Sequence, residues 1–410
     1  MLGPDQPPPP GTRPMLPIIL GLGLIAQGPP AGPAEQLRRL DAEHAAAWGA
    51  FQKANAEAKT DEQVAALSRM PGCQPRLYAD RYMALATANP GTPMAEEALV
   101  WVGAHVMFGP ETEEAKRLLL RDHVTSPRLA PVLAFQVLTV GSAATERLYR
   151  AVAADNPDRA LRARAHYWLA RFLVDRAEAS RQLSRGTRTT VPAAPLIVAG
   201  WGADFEDRLR RLDPAALDAE AGWEFERAER DGTDVPHDDK LRPPGTVATA
   251  AAGYLRELRE LAVGKPGPST EGEDLDGRPF RLRDERGKVV VLVFGNHFTC
   301  GSCREMYPHE RELVRRYGGR PFALVAVDGS PDRAALKDAW AAEGNTWRCL
   351  WDRSWDGPIA TLWNIQVNPT VYVLDPAGVI RYKATVDPGA ELDRVVADLI
   401  AAAEAGPAPR

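Results

Sequence analysis

Two of the four cysteines in this chain, Cys300 and Cys303, are separated by two residues in the segment HFTCGSCREMYPHE. A Cys-x-x-Cys pair can bind a metal, form a structural disulfide, or exchange electrons through a reversible disulfide. The other two cysteines, Cys73 and Cys349, stand alone in the sequence. The segments that flank Cys300 and Cys303 therefore decide which chemistry the pair performs.

A metal site at this pair lacks the other ligands that it needs. Structural zinc takes four ligands, commonly two Cys-x-x-Cys pairs or one pair with two suitably spaced histidines. The nearby His297 and His309 do not have that spacing. The segment HERELV also differs from a zinc-protease helix, because Leu313 occupies the position of the second histidine. We therefore expect no metal and no other cofactor.

Redox chemistry fits the position of the pair better. The run VVVLVF is short and β-branched, which predicts a buried strand, and Cys300 ends the loop that follows it. Cys303 falls in the first turn of the next predicted helix, where free N–H groups and the helix dipole stabilise a thiolate. Cys300 is accordingly predicted to be the attacking nucleophile, and Cys303 the thiol that resolves the mixed disulfide.

The chain around and after this motif alternates strands and helices. A short strand at 280–283 precedes VVVLVF, and PFALVAVD predicts a second buried strand with a helix at 332–343 after it. The segment NPTVYVLDPAGVIRYKA predicts two antiparallel strands joined at 375–378, and a last helix covers 391–403. This order predicts an α/β sheet with helices on both faces.

The preceding part of the chain has a helical pattern. Apolar residues recur at steps of three and four in AEQLRRLDAEHAAAWGAFQKA, and Thr92 is a predicted N-cap with Pro93 at the first helical position. Short helices separated by Asn-Pro pairs predict helical hairpins, loosely like tetratricopeptide repeats, although no regular period is visible. The predicted fold class is therefore α plus α/β, with a helical-hairpin domain at 34–262 and an α/β domain at 263–404.

The first 33 residues are rich in proline and glycine and contain one apolar run, Leu16–Ala26, preceded by Arg13. This run is too short for a membrane span but suits the apolar region of a secretory signal. We interpret residues 1–33 as a signal-peptide-like leader, with a disordered leader as the alternative, and residues 405–410 as a disordered tail. The expected location is the periplasm or another extracytoplasmic compartment, and no transmembrane helix is expected in the mature chain.

Charge and cysteine content exclude several classes of protein. The 50 basic and 55 acidic residues give a net charge of −5, which favours neither a nucleic-acid nor an anionic-membrane partner. Four cysteines are too few for a disulfide scaffold. Cys349 is predicted to be a small apolar residue in a buried strand, and Cys73 to lie in a turn between helices. In an exported protein a bridge between these two cysteines is the alternative.

Residues 263–404 resemble the thioredoxin superfamily, in particular its TlpA/ResA-like branch of redoxin or AhpC/TSA-type domains. The segment CGSCREMYP is similar to the active-site turn and helix, with Pro308 at the position that kinks that helix. The segment NIQVNPTVYVL is similar to the one that holds the cis-proline of the family, which is Pro369 here. The resemblance implies a thioredoxin-like fold and a substrate groove shaped by Asn368, Pro369 and Thr370.

The motif also departs from the family pattern. Thr299 replaces the usual tryptophan before the first cysteine, and Met306 replaces a buried acid, with Glu305 one position earlier. One helical step rotates a side chain by about 100°, so Glu305 is predicted to face away from the buried stripe that begins at Met306. Glu305 and His297 are the candidates for proton transfer. A loop histidine that is only solvated is the alternative for His297.

These observations predict a thiol–disulfide oxidoreductase that works through a Cys-Gly-Ser-Cys active site. Its expected partners are protein thiols and disulfides and an upstream electron donor or acceptor. Such an activity implies a role in cell redox homeostasis. The direction of electron flow stays open. A peroxiredoxin-like thiol peroxidase is one alternative, since the superfamily contains both activities. A non-catalytic helical scaffold with a thioredoxin-like binding module is the other, because the tryptophan and the buried acid are missing.

Overall fold

The computed structural model describes residues 32–107, 109–134, 142–184, 205–238, 244–385 and 388–405. The predicted signal-peptide-like leader lies outside the described residues up to position 31, and so do positions 406–410 of the predicted tail. None of the helices in the described ranges has the length and apolar character of a membrane span.

The N-terminal part of the chain is helical, as predicted. Its helices are α1 (Pro33–Glu57), α2 (Asp61–Leu67), α3 (Arg76–Ala88), α4 (Pro93–His105), α5 (Pro110–Asp122), α6 (Ala130–Leu133), α7 (Ala143–Asp155), α8 (Arg159–Ser184), α9 (Phe205–Arg210), α10 (Pro214–Asp231) and α11 (Val247–Glu260). Their lengths range from 4 residues in α6 to 26 residues in α8. Because these lengths follow no constant period, the tetratricopeptide-like repeat stays a prediction.

Local capping explains where several of these helices begin. The Thr92 hydroxyl accepts the N–H of Ala95 at 3.1 Å, and Pro93 occupies the first turn of α4, which confirms the predicted cap. At the start of α2, Thr60 and Gln63 form a reciprocal capping box. These side chains satisfy backbone N–H groups that have no partner within the helix.

Aromatic side chains fill the core between the helices. Tyr82 stacks on Trp101 with ring centroids 3.9 Å apart, and Phe225 stacks on Tyr254 at 5.1 Å. Tyr167 is fully buried and contacts Phe225 edge to face. The apolar stripes of the sequence therefore pack against each other in one helical core.

Seven strands lie in the C-terminal part of the described chain. They are β1 (Glu271–Glu273), β2 (Pro279–Arg281), β3 (Val289–Gly295), β4 (Phe322–Asp328), β5 (Arg348–Trp351), β6 (Thr370–Leu374) and β7 (Ile380–Thr385). A five-stranded sheet in the order β5-β4-β3-β6-β7 forms the centre of this part. β3, β4 and β5 are parallel, whereas β6 and β7 run antiparallel as a hairpin. A separate pair, β1 with β2, precedes the sheet.

Helices cover both faces of this sheet, as predicted. They are α12 (Gly301–Glu305), α13 (Tyr307–Tyr317), α14 (Arg333–Ala342), α15 (Pro358–Leu362) and α16 (Ala390–Ala405). Val291 and Val293 pack with α13, α14 and α16 on one face. Leu292 and Phe294, which alternate with them along β3, pack with α15 on the other face.

The predicted strand at 280–283 is wrong in its second half. β2 ends at Arg281, and a 3-10 turn begins at Leu282. Arg281 pairs with Glu271, which is the first residue of the partner strand β1, so the ladder has no partner beyond this point. Leu282 instead buries its side chain and donates its N–H to the carbonyl of Thr270 at 2.9 Å.

The helical part and the sheet meet at α11 and the segment after it. Gly264 donates its N–H to the carbonyl of Ile380, and Ile380 donates to that of Lys265, both at 2.8 Å. Leu261, just after α11, is buried in the apolar cluster on the α15 face of the sheet. The boundary between two independent domains near residue 263 stays a prediction. A fragment of the chain that begins at this boundary would lose the contact of Leu261 with the sheet.

Candidate functional site

Cys300 and Cys303 form a disulfide at the point where β3 leads into α12. Cys300 is the N-cap residue of α12 and is half-buried, while Cys303, one turn into the helix, is buried with 5% of its surface exposed. The strand before Cys300 is buried along its length up to Phe294 because its residues are apolar and face a helix layer on each side. This is the strand-to-helix junction that the sequence predicts.

The N–H groups of the helix start are directed at the sulfur of Cys300. The backbone N–H of Cys303 donates to the Cys300 Sγ at 3.1 Å, and the Ser302 Oγ lies 3.5 Å from the same sulfur. In the reduced protein such donors stabilise negative charge on the sulfur, because they compensate a thiolate better than a neutral thiol. The arrangement can therefore favour the thiolate form of a cysteine at this position.

The loop before Cys300 is fixed by Asn296. Its Oδ1 accepts the N–H groups of Phe298 and Thr299, each at 3.1 Å, and its carbonyl accepts the N–H of Cys300 at 3.1 Å. Phe298 lies at the surface, with 46% of the residue's surface exposed. An exposed aromatic residue thus lies two positions before the first cysteine.

His297 is buried, so the alternative of a solvated loop histidine is wrong. Its backbone N–H donates to the Asp328 Oδ2 at 2.8 Å, and its Nδ1 lies 3.1 Å from the Tyr307 hydroxyl. Its carbonyl accepts a hydrogen bond of 2.7 Å from the Arg304 guanidinium. These three contacts hold His297 between β4 and the two helices α12 and α13.

Glu305 is exposed and Met306 is fully buried, as the rotation argument predicts. The helix is interrupted at Met306, which lies between α12 and α13, and Pro308 occupies the first turn of α13. Proline fits there because its missing N–H would have no helical partner. Glu305 therefore does not take the buried position that the acid of the family occupies.

The segment Asn368–Thr370 approaches the end of the same strand. The Asn368–Pro369 peptide bond is cis. Thr370 pairs with Phe294 across the antiparallel ladder, so the preceding residues lie beside Gly295 at the end of β3. The Asn368 Oδ1 is buried and accepts no hydrogen bond from any described residue.

The remaining cysteines lie away from this junction and are unbridged. Cys73 is exposed in a 3-10 turn between α2 and α3, and Cys349 is buried in β5, as predicted for each. The alternative bridge between them is not formed in the structure. Burial raises the pKa of the Cys349 thiol well above its ordinary value. Among the described residues, no group of three or more His, Cys, Asp or Glu side chains is arranged to hold a metal.

Sequence reasoning missed one buried acid at the site. Asp328 ends β4 with 3% of its surface exposed and accepts the N–H groups of His297 and Ser330, each at 2.8 Å. Burial raises the pKa of its carboxyl group. The only signal in the sequence is an acid at the end of the apolar run PFALVAVD.

The C-terminal part of this chain is similar to several known proteins. The family model Redoxin matches residues 262–399. The thiol-disulfide oxidoreductase ResA of Bacillus thuringiensis subsp. konkukian is 25% identical over 130 residues, which are 32% of this chain and 73% of ResA. ResA of Geobacillus thermodenitrificans is 27% identical over 133 residues, 32% of this chain and 75% of that protein. A putative thiol:disulfide interchange protein DsbE from Chlorobium tepidum has 22% identity and a TM-score of 0.31, covering 35% of this chain and 97% of its own.

The sheet order and the cysteine pair at its strand-to-helix junction define the class of thioredoxin-like oxidoreductases. Within that class, the C-terminal part of the chain is a redoxin-type, TlpA/ResA-like domain of the thioredoxin superfamily.

Proposed function

We propose that the protein exchanges electrons with protein disulfides through the Cys300-Gly301-Ser302-Cys303 motif. The observation that carries this proposal is the asymmetry of the pair. The Cys300 sulfur is half-buried and accepts the Cys303 N–H, whereas Cys303 is buried behind it. A reactive sulfur needs both access and hydrogen-bond donors that favour its thiolate, and Cys300 has both.

The reductive direction illustrates the chemistry. The Cys300 thiolate attacks one sulfur of a substrate disulfide, and the other substrate sulfur leaves as a thiolate that takes a proton from solvent. Cys303 then loses its proton and attacks the Cys300 sulfur, which breaks the mixed disulfide and releases the second substrate thiolate. The pair is oxidised by two electrons and the substrate is reduced by two. An upstream donor of electrons restores the dithiol, and the reverse sequence oxidises a substrate.

The substrate chain is proposed to bind along Asn368, Pro369 and Thr370. The register of β6 against β3 supports this, because it brings the segment beside the strand end that leads to the cysteines. The Asn368 Oδ1 offers an acceptor for a substrate N–H. Phe298 adds exposed apolar surface on the loop before Cys300. His297 is retained as a proton-transfer candidate, while the exposure of Glu305 disfavours it.

We also propose that the protein works outside the cytoplasm. The basis is the signal-like run Leu16–Ala26 of the sequence together with the similarity to ResA. A secretion assay of the full chain tests this part: retention of the entire protein in the cytoplasm contradicts it.

Trapping of a mixed disulfide tests the catalytic proposal. In the Cys303→Ser variant nothing resolves the intermediate, so a covalent adduct with a disulfide-containing protein should accumulate on Cys300 and be released by dithiothreitol. Cys73→Ser, which removes an exposed thiol remote from the motif, should accumulate none. Absence of any adduct favours the scaffold alternative, and rapid peroxide consumption without a disulfide substrate favours the peroxidase.

A further inference from the structure

Asp328 lies on the face of the sheet that carries the active-site helix. Side chains alternate along a strand, and Leu324 and Ala326 of β4 pack in the same apolar cluster as Met306. Asp328, two positions after Ala326, therefore points to the same side. The backbone N–H groups of His297 and Ser330 donate to its two carboxylate oxygens and hold the carboxyl group at the end of β4.

The buried sulfur of Cys303 lies next to Gly295, at the end of β3, which is the neighbour of β4 in the sheet. A Cβ atom added to Gly295 would come within 3.3 Å of the Cys303 Sγ, so the sulfur occupies the space where a side chain of this residue would begin. Gly295 and Asp328 are register partners in the parallel pair of β3 and β4. Neighbouring strands are about 4.8 Å apart, so the carboxyl group and the Cys303 sulfur lie one strand apart on the same face.

Three ionisable side chains interact electrostatically with Asp328. They are His297 in the loop before Cys300, Tyr307 in α13 and Cys349 in β5, and Glu310 of α13 interacts in turn with Tyr307 and Cys349. The Tyr307 hydroxyl is engaged with the His297 ring, and burial raises the pKa of Tyr307. The Arg304 guanidinium is directed at the His297 carbonyl on the α12 side.

The geometry points to Asp328 as the acceptor of the Cys303 proton in the resolving step, an inference that rests on the proposed function. The proton leaves the Cys303 sulfur for the Asp328 carboxylate while this sulfur forms its bond to Cys300. The bond between Cys300 and the substrate breaks, and the substrate sulfur departs with the electron pair. Asp328 later returns the proton to solvent. It thus acts as the buried proton acceptor, a role that Met306, at the position of the family's acid, cannot perform.

Asp352 provides a matched control for Asp328. It is also a buried aspartate that follows a parallel strand, and its oxygens accept two backbone N–H groups, those of Ile359 at 2.9 Å and Ala360 at 2.7 Å. Its own N–H donates to the Asp328 carbonyl at 2.9 Å, so the two residues are neighbours. Ile359 belongs to the opposite face of the sheet, which places the Asp352 carboxyl group away from the cysteines.

The test uses a mixed disulfide that needs no protein substrate. Cys73→Ser, which removes the exposed free thiol, is the parent. The reduced protein is mixed with Ellman's reagent in a stopped-flow instrument, and release of the second thionitrobenzoate ion reports attack by Cys303. The rate is measured across pH in the parent, in Asp328→Asn and in Asp352→Asn.

We expect the release in Asp328→Asn to be about tenfold slower or more at neutral pH, and to follow the ionisation of the thiol alone. In the parent and in Asp352→Asn, the release rate should show a second pH-dependent change, which reports the ionisation of Asp328. An Asp328→Asn profile that matches that of the parent overturns the inference, as does an equal change in Asp352→Asn. Failure to trap protein substrates on Cys300, by contrast, counts against the proposed function alone.

A measurement on the parent covers the case in which Asp328→Asn does not fold. The carboxyl carbon of Asp328 is titrated by NMR in the disulfide and in the dithiol forms. If the carboxyl group and the Cys303 thiol exchange a proton, their ionisations are coupled and the midpoint for Asp328 must differ between the two forms. Identical midpoints overturn the inference.

Discussion

Glu257 in α11 forms an ion pair with Lys383 in β7, and this contact joins the helical part of the chain to the sheet. The second oxygen of the Glu257 carboxylate accepts a hydrogen bond of 2.6 Å from the Asn364 side chain. Burial by itself lowers the pKa of Lys383, but the adjacent Glu257 carboxylate and the Tyr372 hydroxyl together outweigh burial, and the pKa is raised overall. Lys383 therefore stays charged at neutral pH.

Removal of the Glu257 charge should destabilise the protein. Glu257→Gln keeps the shape and a hydrogen-bonding group but leaves the Lys383 ammonium without its counter-ion, at an expected cost of about 1–3 kcal/mol. Urea unfolding measures the free energy. Glu260→Gln, an exposed position in the same helix, is the control and should change stability by less than about 0.5 kcal/mol. Equal stabilities of the two variants would show that the pair contributes nothing.

The same contacts predict how a cut at the proposed domain boundary behaves. A fragment that starts at Val263 keeps the pairing of Gly264 and Lys265 with β7 but loses Leu261 and Glu257. We expect it to unfold cooperatively and to retain its disulfide reactivity. It should be less stable by about 2–5 kcal/mol than a fragment that starts at Thr246, which retains α11. An unfolded or inert Val263 fragment would contradict the independence of the domain.

The two sulfurs should differ in reactivity. Cys300 is half-buried, and in the disulfide form its sulfur accepts the N–H of Cys303. After reduction we expect this donor to favour the Cys300 thiolate, so iodoacetamide near neutral pH should alkylate Cys300 first, with a preference of about tenfold or more. Mass spectrometry of peptides at short reaction times measures the order. The exposed Cys73 serves as an internal reference thiol outside the motif. Preferential labelling of Cys303 would reverse the roles assigned to the pair.

Phe298 should matter for protein substrates and not for small disulfides. Phe298→Ser removes exposed apolar area next to Cys300, and we expect the rate of exchange with a protein disulfide to fall about five- to tenfold, as for about 1–1.4 kcal/mol of lost contact. The reaction with oxidised glutathione should be unchanged. Trp223→Ser, at an exposed aromatic residue of α10, is the control and should affect neither rate.

Stability should depend on pH through the buried aspartates. Burial raises the pKa of Asp328 and of Asp352 in the folded protein, so the native state binds these protons more tightly than the unfolded chain. Their contribution to stability is complete below the ordinary aspartate pKa and is lost as the pH rises through the raised values. The free-energy difference between wild type and Asp352→Asn should therefore shrink with rising pH, by at most about 1.4 kcal/mol per pH unit. A difference that grows with pH would reverse the sign of this assignment.

Much of the active-site segment follows from local sequence. The apolar run VVVLVF forms a buried strand, the helix is interrupted at Met306 and resumes with Pro308 in its first turn, and Glu305 faces away because Met306 occupies the buried stripe. Each of these outcomes depends on residues within one or two turns of each other. The cis bond before Pro369 was implied by family resemblance and not by composition, and the structure has it.

Local sequence did not determine the environment of the cysteines. The burial of His297 depends on Asp328 and Tyr307, which lie on different elements. Gly295 and Asp328 are 33 positions apart in the chain, and only the parallel register of β3 and β4 makes them neighbours. A register shift of one residue would turn the Asp328 side chain to the opposite face of the sheet. The sequence by itself therefore determined which residues can carry the redox chemistry, while the pairing of distant strands decided which acid lies beside the buried sulfur.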